Sequence, residues 1–342
     1  MGAILLPLEK NPWIQAYQIR NFELGILQEK QPWVFCNYIN CYYDKKAKDK
    51  FCYCAPLGRY GEKENVSIVQ KFRFDKSIFD LEAIEFLEWA KELLSNNWYI
   101  MGLFDEYYIP AKASYMKYHF RHSLLIYGYD DDKDSFYAIG YNKNRKYEPH
   151  TLTYKEYLSA ISVDFDREKE AYYDFCIDKI EFDAFKLNPE FNFEFDWKEL
   201  YTSLCDYINS TDSRNNKKDV VFGVDCGVEF SKYISNLTPK SIDIRYSRFF
   251  MELKDIMVKR LEYLCSIECI TENIVATYKE IAEMQQNIHM MFIKYSMTGN
   301  NKIIDQMTLK MNTIIEKEKE ILPIIRDKIY LFCKKEYEKG YI

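Results

Sequence analysis

Four histidines stand in this sequence, His119, His122, His150 and His289, beside ten cysteines. A mechanism that moves protons through imidazole at neutral pH therefore has few places to reside. His289 falls in an apolar helical stripe beside Ile288 and Met290 and reads as a packing residue. His150 follows Pro149 and is expected in an exposed loop. His119 and His122 open the run His-Phe-Arg-His-Ser-Leu-Leu-Ile-Tyr-Gly-Tyr-Asp, which places His122 at the mouth of a strongly apolar strand. Strand patterns over 123–129 and 135–141 flank Asp130-Asp-Asp-Lys-Asp134 and predict an antiparallel hairpin. The start of one strand then lies beside the end of the other, which makes His122 and Asn142 neighbours. The Asn142 side-chain carbonyl is then placed to accept the imidazole Nδ1–H and fix the tautomer that serves a nucleophile. A hairpin with a merely polar rim fits the same spacing.

The nucleophile this chemistry needs is sought among the cysteines. Cys36 sits in the context Trp33-Val-Phe-Cys-Asn-Tyr-Ile-Asn40. Gln31-Pro32 reads as a turn, with a short buried helix over 35–43 beginning near Cys36. A thiol at a helix N-terminus has its pKa lowered by the terminal N–H groups. Gln31, with Gln28 as substitute, would turn its amide to a developing oxyanion, joined by the Cys36 backbone N–H. Cys41, further into the same expected helix, is the alternative nucleophile. Either thiol also fits as a small apolar core side chain. Cys52-x-Cys54 has no second ligand pair at metal-binding spacing, so no metal site is expected.

The elements that must position these residues can be read by periodicity. Helices are expected at 15–28, 79–94, 153–161 and 197–209, and a strand at 98–109 ended by Pro110. A further strand is expected at 172–185 and a polar loop at 210–219. From 246 to 339 the apolar spacing of Ile281, Met284, Ile288, Met291 and Tyr295, then Ile304, Met307, Met311 and Ile314, predicts two long helices. Gly299-Asn300-Asn301 is the turn between them, forming an antiparallel hairpin that either packs on the rest or makes a homodimer.

The totals bound what such a chain does. Its 342 residues are 48% hydrophobic and 17% aromatic, with net charge -6 and charges of both signs interspersed. No basic face suits nucleic acid. Docking of an acidic partner would need a local basic patch. The first residues lack a signal-peptide pattern, and no run of about 20 apolar residues occurs. A cytoplasmic protein with reduced thiols and no membrane span is expected.

The same residues carry a resemblance. His122-Ser-Leu-Leu-Ile-Tyr-Gly-Tyr-Asp130, followed by Phe136-Tyr-Ala-Ile-Gly-Tyr-Asn142, resembles the histidine strand and following acid strand of papain-like, bacteriocin-processing cysteine peptidases. Pro32-Trp33, Asn37-Tyr38-Ile39, Asp105-Glu-Tyr-Tyr-Ile-Pro110 and Tyr118-His-Phe-Arg-His122 resemble more closely the butirosin-biosynthesis acyltransferase-like family. That likeness covers about the first 165 residues. Beyond them it runs mainly through a helical tail that includes Ile244-Arg245 and Lys259-Arg260-Leu261. The context of Cys36 lacks the Asp-Cys-Gly pattern of the peptidases, and Asn142 stands where they carry Asp.

The resemblance implies an α+β, papain-like catalytic core at 1–165, a mixed continuation at 166–245 and a helical hairpin extension at 246–342. It implies an amide-forming acyltransferase of natural-product assembly. The acyl donor would be the phosphopantetheine thioester of an acyl or peptidyl carrier protein, the acceptor a small amine. Cys36, His122 and Asn142 would form the triad, with Gln31 and the Cys36 N–H as the oxyanion donors and no bound cofactor. A cysteine peptidase on the same scaffold, or a non-catalytic module that binds a biosynthetic intermediate, are the competing functions.

Overall fold

The computed structural model describes residues 2–47, 50–54, 68–75, 83–161, 181–214 and 219–338. In the first half of the chain the elements are β1 (Ala3–Leu5), α1 (Gln18–Leu27), α2 (Gln31–Cys36), β2 (Cys41–Tyr43), β3 (Phe51–Tyr53), β4 (Val69–Asp75), α3 (Ala83–Ser95) and β5 (Tyr99–Asp105). Next come β6 (Arg121–Asp130), β7 (Ser135–Tyr141), β8 (Tyr147–Thr153), α4 (Tyr154–Ile161), β9 (Glu181–Leu187), α5 (Trp197–Asn209) and β10 (Val221–Phe222). Four helices complete the order: α6 (Asp225–Ser235), α7 (Ile244–Ser266), α8 (Glu272–Thr298) and α9 (Lys302–Glu338). The protein is therefore α+β. No helix of the described residues is long and apolar enough to cross a membrane.

The chain divides into two compact units, each discontinuous in sequence. Unit 1 comprises Met1–Pro12, Gln18–Ile26 and Val66–Phe191; unit 2 comprises Trp13–Tyr17, Leu27–Asn65 and Asn192–Ile342. These units cut across the expected segments 1–165, 166–245 and 246–342.

Unit 1 is built on an antiparallel sheet of order β4-β9-β5-β6-β7-β8. The expected hairpin is its centre, with Leu125 opposite Ile139 and Asp130 opposite Ser135. β6 pairs with β5 up to Ile126, then with β1 from Gly128 to Asp130. A β-bulge between Ile126 and Gly128 shifts the register toward β7. Gly128 is required there, because a Cβ would come within 2.3 Å of the Ile4 carbonyl oxygen. α1, α3 and α4 contribute Phe22, Phe86, Leu94, Tyr157 and Ile161 to a core shared with Phe104, Leu125, Phe136 and Phe182. α4 starts after a capping box formed by Thr153 and Glu156. Glu156 N donates to Thr153 Oγ1 (3.2 Å), and Thr153 N donates to Glu156 Oε2 (2.8 Å).

Unit 2 joins a small sheet, β10-β2-β3, to helices. The long hairpin is as the apolar spacing predicts. Lys317 meets Glu280 at 2.9 Å and Tyr278 meets Glu318 at 2.6 Å, so α8 and α9 run antiparallel. Gly299 ends α8 in the left-handed region (φ 61°), with its N–H on Tyr295 O. α7 adds a third antiparallel helix, with Ser247 Oγ 2.8 Å from His289 Nδ1 and Lys279 2.7 Å from Glu262.

Two expectations fail. The helix read over 35–43 instead begins at Gln31 and ends at Cys36, and Cys41–Tyr43 is a strand. Pro32 is accommodated in the first helical turn, where its missing N–H costs nothing, so Gln31-Pro32 starts the helix rather than preceding it. Asn37 then turns to extended backbone and returns its Nδ2 to Trp33 O at 2.9 Å. His150, expected exposed in a loop, lies in β8 opposite Ala138. Burial, helped by the Lys112 charge, pushes its pKa down to about 4. Of the helix expected at 79–94, residues 79–82 lie outside the described residues, as do 172–180 of the expected strand and 215–218 of the loop.

Candidate functional site

In unit 1 the site grows from the register of two strands. Phe104 pairs with His122 and Asp105 with Arg121, so the end of β5 meets the start of β6. The chain leaves β5 in a single 3₁₀ turn, Glu106–Tyr108, capped by Asp105, whose Oδ1 accepts from Tyr107 N and Phe120 N at 3.1 Å each. The turn aims Glu106 back at the strand it has just faced. His122 Nδ1 lies 3.0 Å from Glu106 Oε1, with the imidazole 37% exposed and the carboxylate 8%. Ser114 Oγ donates to Glu106 Oε2 (3.1 Å), and Lys112 Nζ stands 3.4 Å from Oε1.

Burial works to raise the Glu106 carboxyl, but the His122 hydrogen bond, the Lys112 charge and Ser114 outweigh it and hold it below its ordinary value. The carboxylate is thus ionised at neutral pH. In the tautomer with its proton on Nδ1 the imidazole donates to this carboxylate, and Nε2 then carries the lone pair that a general base needs. A second imidazole–carboxylate pair sits beside it, His119 Nδ1 on Asp105 Oδ2 at 2.6 Å, with the His119 ring stacked on Tyr107.

Asn142 does not take the place expected for it. The described pairing of β6 with β7 stops at Leu125 and Ile139. Asn142 instead organises the turn into β8: its Oδ1 accepts from Asn144 N (2.9 Å) and Lys146 N (3.0 Å), and its Nδ2 bonds Glu148. Nδ1 of His122 therefore faces Glu106, not Asn142. The carboxylate was visible in sequence as the second member of the acid pair that ends a strand, in the segment Asp105-Glu-Tyr-Tyr-Ile-Pro110. Glu106 follows β5, on the side of β6 away from the 122–142 hairpin.

The rim beside His122 is occupied by polar side chains. At the start of α1, Gln18 is buried; its Nε2 donates to Ser123 O and its Oε1 accepts from Tyr141 N at 3.4 Å. Lys112 donates to Tyr141 O at 2.7 Å. A Cβ on Gly140 would fall 3.1 Å from Lys112 Nζ and 3.3 Å from Gln18 Nε2, so a side chain there would press on both. No cysteine belongs to the described residues of unit 1.

Cys36 and the residues expected around it belong to unit 2. Cys36 is buried at the C-terminal end of α2, where the dipole disfavours a thiolate. Its Sγ donates to Pro32 O at 3.5 Å and accepts from Asp196 N at 3.1 Å. Asp196 is the N-cap of α5, so the thiol meets a helix N-terminus after all, on a neighbouring helix. Burial nevertheless pushes the thiol up to about 12. Gln31 lies exposed at the opposite end of α2, about 7 Å along the axis from Cys36 at the usual helical rise, and is not brought to the thiol as an oxyanion donor. Gln28 is committed elsewhere, its Oε1 accepting from Trp13 N at 2.9 Å. Cys41 is buried in β2, with Sγ 3.7 Å from Gly223 O. Cys52 and Cys54 pack with Tyr42 and Phe222.

Arg260, named above only as part of the helical-tail likeness, is buried in α7. Its Nε donates to Phe35 O (2.6 Å) and its Nη2 to Asn37 O (2.7 Å), the carbonyls on either side of Cys36. The signal was an arginine within the buried stripe of Leu253, Met257, Leu261 and Leu264. No protein-family model matches this chain, and no curated protein matches it.

Proposed function

We propose that the chain is an amide-forming acyltransferase that takes its acyl group from a carrier-protein phosphopantetheine thioester, with His122 of unit 1 as its base. The observation that carries this reading is the pairing of His122 Nδ1 with an ionised, buried Glu106. A half-exposed imidazole so oriented presents Nε2 as a base to an incoming amine. In the covalent form of the reaction Cys36, in unit 2, takes the acyl group first. Exchange between thioesters is nearly neutral and amide formation runs downhill, so no nucleotide is consumed.

Acylated carrier protein and an amine, followed by intact-mass spectrometry and amide yield, test this. A mass adduct on the wild type that is absent from Cys36→Ala, with amide formation lost in Cys36→Ala and His122→Ala, supports the reading. Loss in His122→Ala alone transfers the reaction to direct attack by the amine on the thioester, with His122 as base. Unchanged amide formation in His122→Ala would end the enzymatic reading.

A non-catalytic module that binds a biosynthetic intermediate is the second reading. It is favoured by the burial of the Cys36 thiol and by Gln18, a side chain without nucleophilic chemistry, filling the rim beside His122.

A further inference from the structure

Arg260 is 2% exposed, and among the described residues no carboxylate stands within ion-pair distance of it. Its donors go to neutral groups: Phe35 O, Asn37 O, Tyr38 O at 3.5 Å, and Met257 Sδ at 3.3 Å. A buried charge held only by carbonyls and a thioether is costly, since most buried cations face an anion. The carbonyls it holds close the C-terminal end of α2 and bracket one residue, Cys36. The Cys36 sulfur already accepts the N–H of Asp196 at the start of α5. A helix N-terminus thus meets the sulfur while a guanidinium holds the carbonyls on either side of it, and both charges favour an anion there. The field of Arg260 also works against the burial that keeps the resting thiol protonated.

We propose that Arg260 is the built-in counter-ion of Cys36: a positioning residue that clamps the carbonyls on either side of the thiol and neutralises the sulfur when its proton leaves. The reaction it serves is the attack of that thiolate on a soft electrophile, an acyl thioester in the covalent form of the reading above, on which this inference rests. The S–H proton goes to base, the sulfur–carbon bond forms, and the leaving thiolate departs with the electron pair of the bond it breaks.

Iodoacetamide tests this without turnover. Here the thiolate displaces iodide, and the extent at Cys36 is read by peptide mass mapping of the full chain over time. At a fixed pH of about 9, where Arg260 carries its charge, Arg260→Met should slow Cys36 alkylation about tenfold or more. Arg260→Lys, which keeps the charge, should stay close to wild type. A rate unchanged or raised in Arg260→Met overturns the proposal.

Should Arg260→Met fail to fold, Cys36→Asp and Cys36→Asn decide. With a cation waiting, the aspartate protein melts above the asparagine protein at about pH 8 and loses that advantage near pH 3, where the carboxyl protonates. An aspartate protein that melts below the asparagine protein at both pH values overturns the proposal equally. Amide formation by His122→Ala bears on the acyltransferase reading alone, whereas the alkylation rate bears on Arg260.

Discussion

Glu106 and Asn142 compete for one role, and substitution separates them. Glu106→Gln keeps the shape of the side chain but removes the charge that holds the His122 tautomer. It should lower the amide-forming rate by about 10²–10⁴-fold, as loss of the orienting acid does in hydrolytic triads. Asn142→Ala, whose side chain serves the β7–β8 turn, should leave the rate within about twofold. Glu106 also makes stability pH-dependent in a definite sense. Its folded pKa lies below the ordinary 4.5, so its stabilisation is fully present above the unfolded value and is lost as pH falls through the folded one. Thermal melts at about pH 6 and about pH 3 should therefore show wild type losing ground to Glu106→Gln on acidification. That His122 belongs at a strand mouth was legible from its apolar run. The acid that follows a strand was in view too, but not its pairing with His122, because Glu106 reaches it across β5 and β6, a register that no local spacing encodes.

Elements with strong local signals are recovered best. α5 coincides with the helix expected at 197–209, and the Gly299 turn with its left-handed glycine. α2 was misplaced because proline permits a helix start as readily as it marks a turn, and only the downstream Asn37 ends it. What holds α7, α8 and α9 together was equally invisible: Lys254 Nζ lies 2.6 Å from Glu318 Oε2, both sealed, with Tyr207 and Tyr278 closing on the carboxylate. Glu318→Leu should cost about 3–5 kcal/mol in urea unfolding because it strands a buried ammonium, and adding Lys254→Met should recover most of the loss.

On α7, burial raises Glu252 to about 7 against the opposing Arg248 ion pair. A carboxyl with a raised folded pKa contributes stability that is fully present below the unfolded value of 4.5 and lost as pH rises through about 7. Relative to Glu252→Gln, wild type should lose roughly 3 kcal/mol between about pH 4.5 and about pH 8, measured by denaturant unfolding at each pH.

For the molecule as a whole the decisive fact is where β9 sits. The sequence suggested a core complete by residue 165, yet Glu181–Leu187 lies between β4 and β5, with Ala184 opposite both Phe72 and Ile100. A fragment ending at 165 lacks an interior strand and should give neither a cooperative melt nor dispersed amide resonances, whereas the full chain gives both. The same placement imposes an order on biosynthesis. As the polypeptide leaves the ribosome, β5, β6, β7 and β8 emerge ready to pair, but the flank of β5 stays bare until Leu187 has been translated. During that interval Tyr99–Asp105 presents an apolar, unsatisfied edge, and the nascent chain is then most in need of chaperone cover.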